Sequence, residues 1–225
     1  MKRSQINTLL RKAVSFLHER DFRLPPFAFW SPAEWVAKGP EADEIRDCML
    51  GWDLTDFGSG DFGRVGLTLF TLRNGHLTDI RYRHKPYCEK ILIVGEGQVT
   101  PTHFHWSKVE DIINRGGGNL VVQLYGATAD EGLSDEAVEV SLDGVCTHVK
   151  AGGEMVLRPG ESICLPRRLY HKFWGEGGTG TVLLGEVSTV NDDKADNRFY
   201  EAVGRFPQIE EDQEPLHLLF SEYPR

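Results

Sequence analysis

Cysteine is scarce in this sequence and never forms a Cys-x-x-Cys pair. This pattern excludes a cysteine-based zinc clip and a fold held by dense disulfides, and it favours buried free thiols in a reducing compartment. Long apolar runs are absent as well, because none approaches the length of about eighteen residues needed to span a membrane, and the first ten residues turn polar too early for a secretory signal. We therefore expect a cytoplasmic protein. The four cysteines are Cys48, Cys88, Cys146 and Cys164.

Positive charge is also in short supply. The 225 residues include 25 Lys and Arg against 34 Asp and Glu, which gives a formal net charge of -9. A negatively charged protein repels the phosphate groups of nucleic acids and of anionic membranes, so neither is expected as a partner. Low-complexity repeats are lacking too, and 24 glycines with 40% hydrophobic residues are typical of a turn-rich globular chain.

Helical patterns are confined to the N-terminal part of the chain. Apolar residues recur at three- and four-residue steps over residues 6–17, with Ser4 placed to cap the free amides. The segment 31–34, Ser-Pro-Ala-Glu, predicts a second helix that begins with a capping box. Residues 41–50 predict a further short helix, and residues 51–58 have the Gly and Asp content of a loop.

From residue 65 onward the hydrophobic period becomes two, which indicates β-strands. No long helix interrupts the strand runs, so they predict a sandwich or barrel rather than alternating helices and strands. Gly116, Gly117 and Gly118 lack the context of a phosphate-binding loop and predict a hairpin turn. The predicted strands cover 65–73, 90–94, 99–105, 120–125, 137–142, 145–150, 155–158, 163–165, 170–174 and 181–190.

No linker divides the sequence, so we expect one domain. Residues 1–60 form a helical and loop extension in this interpretation, and residues 65–190 form the β-rich part. The C-terminal segment, 191–225, is acidic and irregular, and its run 210–214 is interpreted as a solvated surface stretch.

Four residues have the spacing of metal ligands. His103 and His105 are two apart on a predicted strand and so point to the same face. Glu110 follows five residues later, far enough for a turn to return its carboxylate to the pair, and His171 lies in a later strand. Three imidazoles and one carboxylate hold a divalent ion while leaving coordination positions open. A bare His-x-His is also compatible with ordinary hydrogen-bonded strand histidines.

The longer pattern resembles the two sequence motifs of the cupin superfamily. In the second motif Arg168 replaces the usual glycine and Gly175 the usual asparagine. The resemblance implies an all-β fold with N-terminal helices, a cupin double-stranded β-helix jelly roll, with His103, His105, Glu110 and His171 as metal ligands. The motifs read Gly97-x5-His103-x-His105-x4-Glu110-x6-Gly117 and Gly160-x5-Pro166-x-Arg168-x2-His171.

Over its whole length the chain is similar to the D-lyxose isomerase family. The similarity is carried by segments 50–58, 102–105, 185–188 and 191–193 together with the N-terminal helices. That family interconverts D-lyxose and D-xylulose, and related members accept D-mannose and D-fructose. The resemblance implies one divalent metal ion per chain, Mn²⁺ first with Fe²⁺, Co²⁺ or Zn²⁺ as alternatives, a small-molecule sugar substrate and a homodimer.

Aldose–ketose exchange moves a proton between C2 and C1 and needs a base that is not itself a metal ligand. Glu186 shares strand parity with Val182 and Leu184, so its carboxylate is expected inside the barrel as the general base, or else in a structural ion pair. Asp193 is a second candidate for acid–base work or for binding sugar hydroxyls, although Asn and Asp clusters also form ordinary turns.

Three further residues are candidates for binding the sugar. Lys90 interrupts an apolar run, and Lys108 lies between the histidines and Glu110, so either ammonium is suited to donate to a sugar oxygen or to neutralise an enediolate. Lys108 is therefore a catalytic candidate as well. Lys108 also fits an exposed lysine in a turn. Trp106, next to the ligands, is a candidate wall of the pocket.

The sequence thus predicts a metal-dependent ketol isomerase that acts on a free pentose or hexose, with D-lyxose first. Two other functions fit a cupin. One is a metalloenzyme such as an iron dioxygenase, and the other is a sugar-binding or regulatory protein without activity. Transfer of a proton through a cis-enediol is the preferred route, with a hydride shift as the alternative.

Overall fold

The computed structural model describes residues 1–224, and in this part of the chain thirteen β-strands form two antiparallel sheets. The strands are β1 (Gly51–Thr55), β2 (Leu67–Arg73), β3 (Tyr87–Val94), β4 (Val99–His105), β5 (Glu110–Gly117), β6 (Leu120–Gly126), β7 (Val138–Leu142), β8 (Val145–Val149), β9 (Gly153–Leu157), β10 (Ser162–Leu165), β11 (Leu169–Gly175), β12 (Val182–Thr189) and β13 (Asn197–Phe199).

The larger sheet has the order β1-β2-β3-β12-β5-β10-β7-β8, and the smaller has the order β13-β4-β11-β6-β9. Leu92 and Ile112 of the larger sheet and Leu124 and Phe173 of the smaller one belong to a single buried cluster between the sheets. Burying alternate residues of both sheets in this way is what makes a two-sheet sandwich stable. The predicted all-β fold with N-terminal helices is confirmed.

The helices are α1 (Arg3–His18), α2 (Pro32–Val36) and α3 (Asp43–Asp47). Ile6 and Leu10 of α1 are completely buried in a second cluster that includes Phe70 and Ile91. Because the inner residues of the same strands face the other sheet, this second cluster covers the outer face of the larger sheet. Within residues 1–224 no helix is long and apolar enough to cross a membrane.

Only one of the two predicted helix caps is present. Ser31 and Glu34 form the expected capping box of α2. Ser4 does not cap α1, because it already lies inside the helix. The C-terminal segment instead supplies the acceptor: the Asp212 carboxylate accepts from the Ser4 amide at 2.8 Å and from its hydroxyl at 2.6 Å. Part of the acidic run 210–214 is therefore engaged by α1.

Two predicted turns are also corrected. Residues 51–55 form the buried edge strand β1 rather than a loop. The three glycines at 116–118 do not close a hairpin, because β5 and β6 lie in different sheets. A Cβ at Gly117 would lie 2.1 Å from the carbonyl oxygen of Thr181, and one at Gly118 would lie 2.2 Å from that of Gly180. Glycine is needed there for close backbone contact where the chain changes sheets.

All four cysteines are free, but only two of them are buried. Cys48 and Cys88 lie in the interior as expected. Cys146 is exposed and Cys164 is partly exposed, so the expectation of four buried thiols is wrong. Both lie on strands of the larger sheet, at positions that alternate with core residues such as Ile163 and therefore face outward.

Candidate active site

Three histidines meet between the two sheets. His103 and His105 lie on β4, and His171 on β11 is the Cα partner of His103 across the antiparallel pair. The ring centroids of His103 and His171 are 4.1 Å apart, and those of His103 and His105 are 5.1 Å apart. One ring nitrogen from each residue lies within 4.8 Å of the other two, and all three side chains are buried. A single ion can therefore contact all three.

The backbone fixes the tautomers of two of these rings. His103 Nδ1 lies 2.7 Å from the carbonyl oxygen of Pro101, and His171 Nδ1 lies 3.0 Å from that of Leu169. A carbonyl oxygen only accepts, so each Nδ1 carries the proton and each Nε2 keeps a free lone pair. Burial and the neighbouring imidazoles hold the pKa of His103 well below its usual value, which keeps this ring neutral, as a ligand must be.

Glu110 faces the histidines from the opposite sheet. It is the first residue of β5, so the carboxylate arrives by a crossing of the chain between sheets and not by the turn expected from its spacing. Its Oε1 lies 3.1 Å from His171 Nε2 and 3.3 Å from His105 Nε2. Burial raises the pKa of Glu110, but the Lys108 ammonium and the neighbouring imidazoles outweigh it and hold that pKa well below the usual range.

These four side chains fit a divalent ion. His105 Nε2 and His171 Nε2 are buried, and among residues 1–224 neither has a hydrogen-bond partner. Buried polar atoms are rarely left without a partner, and two nitrogens that face one carboxylate oxygen without a hydrogen bond are suited to share a divalent ion with it. Three imidazole nitrogens and one carboxylate oxygen also leave further coordination positions open to a second molecule.

Lys108 and Glu186 lie next to the four candidate ligands. Lys108 Nζ is 2.5 Å from Glu110 Oε2 and 2.9 Å from Glu186 Oε1. Both side chains are buried, so Lys108 is not an exposed turn lysine. Burial lowers the pKa of Lys108, but the carboxylates of Glu110 and Glu186 outweigh it and raise that pKa above the usual value. The lysine is therefore a permanent cation inside the cavity.

A second pair of opposite charges lies beside the first. Lys90 Nζ is 3.4 Å from both Glu186 Oε1 and Asp193 Oδ2. Lys90 faces Glu186 across the β3–β12 pair, which explains why both side chains point inward. Burial raises the pKa of Asp193, but Lys90 and Arg205 outweigh it and hold that pKa well below the usual range.

The sequence interpretation missed Arg205, which lines the cavity, and Asp53, which forms an ion pair with it. Arg205 lies 3.2 Å from Asp193 and 2.6 Å from Asp53. Asp53 was hidden in the segment interpreted as a loop, and Arg205 lies in an irregular segment with no motif to mark it. With these two, the lysines and arginine of the network number three, Lys90, Lys108 and Arg205, against four carboxylates, Asp53, Glu110, Glu186 and Asp193. This excess of negative charge favours a bound cation.

Trp106 does not line the cavity. Strand parity places His103 and His105 inside and Phe104 on the opposite face, and Trp106 follows directly after the end of β4. The Trp106 ring is 38% exposed and packs edge-on against Phe104 at 4.7 Å, below the guanidinium of Arg168. Apolar walls are supplied instead by Phe57, Leu67, Leu69, Leu92, Phe173 and Phe199.

The D-lyxose isomerase family model matches residues 1–223. The chain belongs to the D-lyxose isomerase family. It is 54% identical over 226 residues to the D-lyxose/D-mannose isomerase of Serratia proteamaculans, with 100% of this chain and 99% of that protein covered. It is 50% identical over 224 residues to the D-lyxose/D-mannose isomerase of Escherichia coli O157:H7, with 99% and 98% covered. The predicted family and the predicted enzyme class, sugar ketol-isomerase, are confirmed.

A solved structure shares the fold of this family member. The L-ribose isomerase of Cellulomonas parahominis, in its structure with L-ribose, superposes with a TM-score of 0.62 over 93% of this chain and 98% of its own. The sequence identity is 18%, so the likeness shows a common architecture. It agrees with the cupin-like barrel that the two motifs predict.

Proposed function

We propose that this protein interconverts D-lyxose with D-xylulose, and D-mannose with D-fructose. One observation carries the proposal: a buried carboxylate, Glu186, lies beside the candidate ligand cluster and is held by two ammonium groups without belonging to the cluster. Ketol isomerisation needs such a group to carry a proton between adjacent carbons. The names of the two D-lyxose/D-mannose isomerases described above, at 54% and 50% identity, support the choice of sugars.

We infer that His103, His105, Glu110 and His171 hold one divalent ion, with Mn²⁺ as the first choice and Fe²⁺, Co²⁺ or Zn²⁺ as alternatives. A bound ion supplies Lewis-acid polarisation of the sugar oxygens at C1 and C2. Three neutral imidazoles and one carboxylate oxygen form a borderline ligand set that suits all four metals, so the ligands do not select among them.

Glu186 is the residue that moves the proton in this proposal. Its Oε1 is fixed by Lys108 at 2.9 Å and Lys90 at 3.4 Å, so the carboxylate is positioned before the sugar arrives. It takes the proton from C2 of the aldose and returns it to C1, while the hydroxyl proton on O2 passes to O1, and together these transfers convert the aldose into the ketose through a cis-enediol.

Lys108 and Asp193 have supporting roles. The Lys108 ammonium stabilises the negative charge that develops on the sugar oxygens as C2 loses its proton. The low pKa of Asp193 makes its carboxylate a poor proton acceptor and a good hydrogen-bond acceptor. We therefore assign Asp193 to sugar hydroxyl binding, together with Lys90, and the proton transfer to Glu186.

Incubating the Mn²⁺-loaded protein with D-lyxose, D-mannose, D-xylose and D-ribose tests the proposal. Ketose should form from D-lyxose and D-mannose faster than from the other two sugars. Stoichiometric sugar binding without ketose formation would contradict it and favour a binding protein, whereas turnover that requires oxygen would favour a dioxygenase. Reaction in deuterated water separates the two routes, because proton transfer through an enediol brings solvent deuterium into the product and a hydride shift does not.

Two further predictions concern the state of the protein in the cell. Family resemblance predicts a homodimer, and a jelly roll has exposed sheet edges that a partner chain can cover. Sedimentation that shows only single chains at micromolar concentration would contradict this prediction.

The cytoplasmic location also stays a prediction, which fractionation of the native cells can test.

A further inference from the structure

A second group of metal-binding side chains lies on the outer face of the β7–β8 hairpin, away from the cavity. Glu139, Cys146 and His148 offer a carboxylate oxygen, a thiol sulfur and a ring nitrogen that all lie within 4.8 Å of one another. All three residues are exposed, and β8 is the last strand of the larger sheet. An ion can therefore reach this cluster directly from solvent.

The hairpin itself makes these three side chains converge. Glu139 and His148 are Cα partners, and Cys146 lies two residues before His148 on the same face. Val138 and Val140, which flank Glu139, are buried in the core, so the register cannot slip without exposing them. The cluster is therefore held on paired strands and not on a mobile loop.

The three side chains lie close to one another. His148 Nε2 lies 3.8 Å from Glu139 Oε2. The neighbouring Glu139 carboxylate raises the pKa of the Cys146 thiol. The donor atoms thus need little rearrangement to contact a common ion.

We propose that Glu139, Cys146 and His148 bind a thiophilic divalent ion such as Zn²⁺ or Co²⁺. A sulfur, an imidazole nitrogen and a carboxylate oxygen are the three ligand types that zinc sites use, and the exposed face leaves the remaining positions to water. On binding, the thiol S–H bond breaks, a metal–sulfur bond forms and the proton leaves to solvent. Mn²⁺ prefers oxygen ligands and gains little from the sulfur.

The two clusters therefore differ in the metals that they select. The active-site cluster has nitrogen and oxygen ligands and no sulfur. We expect about one equivalent of metal per chain with Mn²⁺ and about two with Co²⁺ or Zn²⁺. Metal content measured with a thiophilic ion will then overstate the number of active sites.

Titration of the full-length protein with Co²⁺ tests the proposal, because a cobalt–thiolate bond gives a near-ultraviolet charge-transfer band that nitrogen and oxygen ligands do not give. The wild-type protein should develop this band, and Cys146→Ser should lack it. His148→Gln should shift the titration midpoint to about tenfold higher Co²⁺ or more. Cys164→Ser is the matched control, since Cys164 is partly exposed on the same sheet and should leave the band unchanged.

The result does not depend on the isomerase activity. A His171→Ala protein, whose active-site cluster is damaged, should still show the band. A wild-type protein without the band at excess Co²⁺ would overturn the proposal. A band that survives in Cys146→Ser, or that disappears in Cys164→Ser, would overturn it equally.

Discussion

Lys108 Nζ bridges two buried carboxylates, at 2.9 Å from Glu186 Oε1 and 2.5 Å from Glu110 Oε2. One of these carboxylates belongs to the candidate metal ligands and the other is the proposed proton carrier. A single ammonium thus fixes the relative position of the two functional groups. It also partly neutralises two like charges that would otherwise repel each other in a medium of low dielectric constant.

Replacing Glu186 by glutamine should lower kcat by about two to four orders of magnitude, with little change in KM or metal content. The amide keeps the shape of the side chain but cannot accept the proton. Kinetics on D-lyxose together with elemental analysis measure the effect. Glu154→Gln, the same change at an exposed position of β9, should behave as wild type. Near-normal turnover of the Glu186 variant would show that another residue carries the proton.

Removing either His103 or His171 should weaken metal binding at the active site. The His103→Ala and His171→Ala variants each lose one of three imidazoles, so the affinity for Mn²⁺ should fall by about tenfold or more and turnover should fall with it. Equilibrium dialysis followed by elemental analysis gives the occupancy. His18→Ala, at an exposed position of α1, is the control. Full occupancy and activity in both cavity variants would show that the ligands lie elsewhere.

Lys108→Met should destabilise the metal-free protein by about 3 to 5 kcal/mol, because it leaves Glu110 and Glu186 as buried charges without their shared partner. Urea unfolding after dialysis against a chelator measures the loss. Adding Glu186→Gln to the same chain should restore part of the stability, since one of the two like charges that Lys108 had neutralised is then gone. Lys194→Met, at an exposed lysine, should change the free energy of unfolding very little. Equal stability of the Lys108 and Lys194 variants would contradict the bridge.

The four thiols should react in an order set by burial. Burial raises the pKa of Cys48 to about 11 and that of Cys88 to about 12, so neither forms thiolate near pH 8 in the folded protein. Exposed Cys146 should be labelled first by a thiol reagent, and Cys164 more slowly. Mass spectrometry of peptides after timed labelling gives the order. Fast labelling of Cys88 in the folded state would disagree with this packing.

Much of the site follows from strand periodicity. His103 and His105 share a face because strands alternate, and Glu186 points inward with Leu184 for the same reason. Trp106 was assigned to the pocket only because it follows the ligands in the chain, but it lies just past the end of β4 and packs against the outward-facing Phe104. Strand periodicity therefore predicted the cavity residues better than closeness to the ligands in the sequence did.

The parts that the sequence did not reveal depend on contacts between distant segments. Glu110 reaches the histidines because β5 lies in the opposite sheet, and spacing alone cannot show a change of sheet. Arg205 enters the cavity from an irregular segment and is recognised only by its ion pairs with Asp53 and Asp193. Strand β1 was hidden because its buried Asp53 looks like a loop residue until that partner is known.

The separate roles of Asp193 and Glu186 can be tested by the way kcat and KM change. Asp193 is held ionised by Lys90 and Arg205, so it should bind sugar hydroxyls and not carry the proton. Losing a hydrogen bond to a charged group costs about 1.5 to 3 kcal/mol, which corresponds to a KM about tenfold to a hundredfold higher for Asp193→Asn. Its kcat should fall much less than that of Glu186→Gln.

Asp192→Asn is the matched control, because the neighbouring side chain accepts a hydrogen bond from the Lys194 amide and an asparagine oxygen can accept the same bond. Its KM and kcat should both stay near the wild-type values. Deuterium incorporation from solvent should persist in Asp193→Asn, since the proton carrier is intact. A large fall of kcat in Asp193→Asn at unchanged KM, with only a modest fall of kcat in Glu186→Gln, would indicate that Asp193 carries the proton and Glu186 binds the sugar.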